Sequence, residues 1–165
     1  MAANPEPVIA SPVIRPIALD DAPEILAMWR EFTAHLRELG DATEFDFDEA
    51  AYRENGFGPN RVFDGIIAHS AGRPAGYLLY HFSYDIDRSM RLLYVIELWV
   101  RKTMRRGGVG RALIEETQRI AADFNARRLV WFVHNGNQSA LDFYASLGAD
   151  PVTDYTWMYL LAERT

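Results

Sequence analysis

The densest concentration of reactive side chains runs from Arg101 to Arg111. Arg101, Lys102, Arg105, Arg106 and Arg111 surround Gly107, Gly108, Val109 and Gly110, so five bases fall within 11 residues. Glycines let a backbone approach a ligand closely and turn its N–H groups inward. A helix that starts there adds free N–H groups and the positive end of its dipole. Together these features make an anion site, typically for phosphate. The loop is not a Walker motif, because no Gly-Lys-Ser/Thr follows. Nor is it a dinucleotide fingerprint, since Leu113 stands where a third small residue belongs. Two further groups could handle protons. Glu97 is the one acid in the apolar run Arg91–Val100. Tyr144 lies seven residues after Asn137 in a second polar-aromatic cluster.

These residues need elements to hold them. Arg91–Val100 reads as a buried central strand, the glycine loop follows, and Val109, Leu113 and Ile120 mark the buried face of a helix. Upstream, a strand at 12–17 precedes a helix from Asp20 or Asp21 to Gly40, with Pro23 in its first turn. A short helix covers 48–55. A hairpin then joins strands at 61–69 and 74–83 through Ser70–Arg73. Downstream come a strand at 128–134, a helix at 138–147, and a last strand or hairpin from Val152 and Tyr155 to Leu161. Consecutive strands followed by crossover helices predict an α/β domain with a mixed sheet of about six or seven strands and about four helices. Residues 1–11 read as a disordered tail, and 12–165 as a single domain.

Composition narrows the function. The 165 residues carry 23 acids against 17 bases, a net charge of −6, and no cysteine. Such a balance argues against nucleic acid as a partner and suits a cationic or neutral small molecule. Cysteine-ligated metals and cysteine nucleophiles are excluded. The four histidines have no metal-ligand spacing, and no nucleophile elbow occurs, so no metal is expected. No apolar run is long enough to span a membrane, and no signal peptide is seen, which predicts a cytoplasmic protein.

The pattern Arg105-x-x-Gly108-x-Gly110 after a strand resembles the acetyl-CoA loop of the GCN5-related N-acetyltransferase (GNAT) superfamily. The segment from Val133 to Ala149 resembles the superfamily's other signature, with Asn137 and Tyr144 in its positions. Val13–Pro16, Glu24–Leu26, Asn55–Gly58, Gly76–Tyr77, Phe82–Asp85 and Leu93–Tyr94 extend the likeness to the spermidine/spermine and thialysine (diamine) acetyltransferase branch. It covers residues 12 to 161. Two departures count against polyamine specificity. Ile96 stands where the branch tends to carry a second acid, and Ile86 where it often carries an aromatic.

The resemblance implies acetyl transfer from acetyl-CoA to a primary amine by direct attack in a ternary complex. It implies a GNAT fold whose sheet splays between the central strand and the strand before Asn137. Glu97 would bind the amine and take its proton, and Tyr144 would protonate the leaving thiolate. A backbone N–H of Leu98, Trp99 or Val100 would meet the thioester oxygen, with a bulge there freeing it. Arg105, Arg106, Gly107, Gly108, Val109, Gly110 and Arg111 would hold the pyrophosphate, with Asn137, Gln138 and Ser139 on the pantetheine arm or local backbone. The acceptor would lie among Glu31, His35, Tyr84, Asp85 and Glu97. Polyamine, thialysine, amino-acid-like amine and protein or peptide amine all remain open as acceptors. So does a catalytically silent acyl-CoA-binding module. The branch also implies a homodimer.

Overall fold

A computed structural model describes residues 11–154, 156, 158 and 160. Five strands form one sheet in the order β1-β2-β3-β4-β5: β1 (Val13–Pro16), β2 (Asp64–Ser70), β3 (Arg73–Asp85), β4 (Met90–Val100) and β5 (Ala126–Val130). The first four pair antiparallel, and β5 joins β4 parallel. That parallel pair is the crossover unit predicted around the glycine loop. Among the described residues there are four α-helices: α1 (Ala22–Glu38), α2 (Glu49–Phe57), α3 (Val109–Asp123) and α4 (Gln138–Ala145). Strand positions 66 and 67, and 77 to 80, alternate between two cores, as a pleated sheet covered on both faces requires. One core joins Ile25 and Met28 of α1 and Tyr52 to Ile67, Tyr77, Leu79 and Trp99. The other joins Val109, Leu113 and Ala121 of α3 to Ile66, Leu78, Tyr80, Leu93 and Val95.

Local chemistry sets the element ends. Asp48 caps α2, accepting from Ala51 N at 2.8 Å. Asn137 caps α4, accepting from Ala140 N at 3.2 Å. The hairpin turn at Ser70–Arg73 holds Ala71 and Gly72 at positive φ, as a tight two-residue connection demands. Asp21 begins α1, but its carboxylate turns back to Ala18 N and Arg15 instead of capping the helix.

Three expectations are corrected. Five strands, not six or seven, are present among the described residues, and the strand expected at Tyr155–Leu161 falls largely outside them. The strand expected at 128–134 runs instead from Ala126 to Val130. Its pairing with β4 ends at Tyr94↔Val130. The bulge expected at Leu98–Val100 lies at Ile96: Val95 opposes Tyr80 and Glu97 opposes Leu79, so Ile96 has no partner on β3.

Candidate active site

The bulge at Ile96 decides where Glu97 points. Without it, Glu97 would share the face of Leu93 and Val95 and point toward α3. The extra residue flips the alternation, so Glu97 joins Leu79 and Trp99 on the face covered by α1. Beyond Tyr94 no residue of β4 pairs with β5. The expected splay is therefore present, and Val95–Val100 turn one edge toward the gap.

Glu97 Oε1 is sealed from solvent without a hydrogen-bond partner. Burial without a compensating charge pushes its carboxyl up to about 8. A carboxyl in that state can hold or accept a proton near neutral pH. Trp99 lies two residues on, with its ring packed on Phe32 and His35 of α1 at 5.7 and 5.6 Å between centroids. His35 Nδ1 and the Tyr77 hydroxyl are likewise buried without a hydrogen-bond partner. Sequence reasoning missed Tyr77. The signal available was its place in the strand that pairs with Glu97's strand, and only the register turns that into a shared face.

The loop after β4 is shaped for an anion. Arg106 (φ 63°) and Gly108 (φ 79°) sit in the left-handed region, and no side chain caps α3. The first-turn N–H groups of Val109, Gly110 and Arg111 are therefore not capped from within the chain. A Cβ on Gly110 would stand 3.2 Å from Phe143 Cζ, so this glycine lets α4 close onto the start of α3. That contact sets Tyr144 beside the same helix terminus. Tyr144 packs on Trp131 at 4.7 Å, and burial raises its phenol to about 12, so it remains a proton donor at neutral pH.

The bases of the loop divide into two sets. Arg101 is ion-paired with Glu31 and reaches Glu24 at 3.1 Å, while Lys102 reaches Glu38 at 3.1 Å. Both therefore face α1 and are already neutralised. Arg105 lies 4.5 Å over the Trp99 ring and donates from Nε to the Val100 carbonyl at 3.1 Å. It braces the loop against β4. Arg106 and Arg111 remain exposed at the loop surface. Asn137 holds the local backbone by its cap, Gln138 bonds Asp142 at 2.7 Å, and Ser139 follows in the first turn of α4.

The predicted acceptor residues do not all meet. His35 and Glu97 flank Trp99. Glu31 is taken up by Arg101 and by the Trp99 indole. Tyr84 faces the α3 side of the sheet by alternation and bonds Ser89 at 2.8 Å. Asp85 shares Glu97's face but lies six residues along β3 from Leu79, about 20 Å away, and pairs with Arg88 at 3.2 Å. Tyr84 and Asp85 thus stand apart from Glu97.

Comparison with known proteins bears on this geometry. Residues 25–149 match the acetyltransferase (GNAT) family. A thialysine N-epsilon-acetyltransferase from Sus scrofa is 31% identical over 154 residues, covering 88% of each chain. A spermidine/spermine N(1)-acetyltransferase-like protein from Homo sapiens is 28% identical over 143 residues, 82% of this chain and 20% of that one. Among solved structures, an aminoglycoside acetyltransferase from an uncultured soil metagenomic sample, in complex with sisomicin, superposes with a TM-score of 0.72 at 18% identity, covering 92% and 97% of the two chains.

Proposed function

Because the chain belongs to the acetyltransferase (GNAT) family and is an N-acetyltransferase, we propose that it moves an acetyl group from acetyl-CoA to the primary amine of a small acceptor. The observation that carries this reading is the opening of β4 from β5 beyond Tyr94. Glu97 stands on one side of that opening, and the uncapped start of α3 lies at the end of the same strand. The family's cosubstrate fits the residues present. Its diphosphate finds the N–H groups of Arg106 to Arg111, opened by Gly108 and free of any side-chain cap.

Acetyl-CoA, when bound, supplies a thioester whose acetyl carbon can form a bond to an amine nitrogen as its bond to sulfur breaks. The chain's residues manage the protons and the charge. The acceptor arrives as an ammonium, which has no lone pair for attack until it loses a proton. Glu97 takes that proton, and its raised pKa brings base and ammonium closer in basicity than an ordinary carboxylate would be. Backbone N–H groups of Leu98, Trp99 or Val100 on the open edge donate to the thioester oxygen as negative charge grows there. Tyr144 gives its phenolic proton to the departing thiolate. The products are an acetamide and a free thiol.

The relatives bear on the acceptor. One acts on thialysine by name, and one solved structure holds the aminoglycoside sisomicin. Both names point to amines on small molecules. Two core clusters on one sheet support reading the chain from residue 12 as a single domain. Among the described residues no helix is long and apolar enough to cross a membrane. The homodimer and the cytoplasmic location form part of this proposal through the branch resemblance. The test is thiol release from acetyl-CoA across a panel of polyamines, thialysine, lysine, amino acids and short peptides, with wild type and Tyr144→Phe. Release with one amine class, sharply cut by the substitution, supports the reading. Acetyl-CoA binding with no release on any amine overturns it in favour of a binding module.

A further inference from the structure

On the face of the sheet that carries Glu97, the next position back along β4, where its pairing with β5 ends, is occupied by an aromatic stack. Glu97 opposes Leu79, and Tyr94 opposes His81. Leu79 and His81 are two residues apart on β3, so the Glu97 and Tyr94 side chains emerge about 7 Å from each other. The His81 and Tyr94 rings stack at 4.9 Å with 28° between planes. Phe132 meets Tyr94 edge-on at 5.8 Å and is 59% exposed. These rings lie beyond α1's packing on Trp99, and the exposed Phe132 ring carries this aromatic surface beside Glu97 out to solvent.

Most of the acids that α1 and β3 bring to this face are already paired. Glu24 and Glu31 are held by Arg101, Glu38 by Lys102, and Asp85 by Arg88. Glu97 Oε1 is the one buried carboxyl oxygen among the described residues that lacks a partner. A polyamine would need a second free anion at a fixed distance from the first. A ring or an apolar body needs a flat aromatic surface, and one is present.

We propose that the preferred acceptor is a primary monoamine on a short chain bearing an aromatic or apolar body, with its nitrogen at Glu97 and its body on Tyr94 and Phe132. This inference rests on the acetyltransferase reading above and names its acceptor class.

The experiment measures thiol release from acetyl-CoA with 2-phenylethylamine, spermidine and thialysine as acceptors. It uses wild type, Tyr94→Ala and Phe132→Ala, with acetyl-CoA affinity followed by calorimetry. Expected is a kcat/KM for 2-phenylethylamine about tenfold above that for spermidine and for thialysine. Each substitution should cut that value severalfold through KM and leave acetyl-CoA affinity within about twofold. Because the Phe132 ring is largely exposed, Phe132→Ala keeps the test sound if Tyr94→Ala fails to fold. Spermidine or thialysine matching or exceeding 2-phenylethylamine overturns the inference and leaves the acetyltransferase reading standing. So does a KM for 2-phenylethylamine that neither substitution moves. Acetyl-CoA binding with no amine turned over overturns both.

Discussion

Trp99 donates its indole N–H to Glu31 across 3.2 Å, joining the strand that carries Glu97 to the first helix. The other oxygen of Glu31 is held by Arg101, and Arg105 lies over the Trp99 ring. Glu31 is therefore a strut between α1 and the glycine loop. Glu31→Ala leaves the indole N–H and the Arg101 guanidinium without their acceptor. Because Glu31 and Arg101 are both partly exposed, water replaces much of what is lost, and the expected cost is about 1 kcal/mol in urea unfolding. Unchanged stability with a raised acceptor KM would return Glu31 to the acceptor site.

Glu97 makes stability and activity depend on pH in opposite directions. Its carboxyl sits at about 8 in the folded chain against an ordinary value of 4.5. Between those values the folded state holds a proton that the unfolded state has released. Stability therefore falls as pH rises from 4.5 to 8, and levels off above that. The slope from this one group is at most about 1.4 kcal/mol per pH unit. Glu97→Gln should flatten that fall and raise Tm at pH 8 relative to wild type. The kcat/KM of the wild type should climb through the same range as the base ionises, and the variant should lose that limb. Parallel melting curves for both proteins from pH 5 to 8.5 would refute the assignment.

The sequence made the framework readable where periodicity and punctuation agreed. The apolar run at 91–100, the glycines after it and the amphipathic helix from Val109 led directly to β4, the loop and α3. The hairpin turn at Ser70–Arg73 was visible for the same reason: its chemistry is local. What stayed hidden depended on register. A one-residue bulge at Ile96 leaves no mark in composition, yet it turns Glu97 to the α1 face. The partners of Glu31 lie 68 and 70 residues away in sequence, so its engagement by Trp99 and Arg101 had no local signal. Tyr84 and Asp85 lie in β3, which pairs with the strand of Glu97, but strand rise and alternation carry them away from Glu97.

Tyr144 should act on the chemical step alone. Its ring is held by Trp131 and Phe143, so Tyr144→Phe keeps the packing and removes only the proton donor. A drop in kcat of about a hundredfold is expected, the usual scale for losing a positioned acid. Acetyl-CoA affinity by calorimetry and the melting temperature should stay close to wild type. A thiol leaving group far more acidic than coenzyme A should reduce the difference, since it departs without a donor. Equal losses with both leaving groups would remove Tyr144 from that role.

The two glycines that open α3 should fail for different reasons. Gly108 holds φ at 79° with nothing within 4 Å of where a Cβ would stand, so alanine fits in space and is strained in backbone. That strain costs about 1 kcal/mol and is relieved by rotating the loop's N–H groups out of line. Gly108→Ala should therefore weaken acetyl-CoA binding about tenfold. Gly110 has ordinary helical geometry, and its Cβ would press on the Phe143 ring at 3.2 Å. Gly110→Ala therefore displaces α4 and Tyr144, and its effect falls on kcat more than on acetyl-CoA affinity. Trimming the ring with Phe143→Leu should restore activity to Gly110→Ala and do nothing for Gly108→Ala. Calorimetry and thiol release on the four variants separate the two causes, and rescue of both glycine substitutions by Phe143→Leu would show that crowding alone explains them.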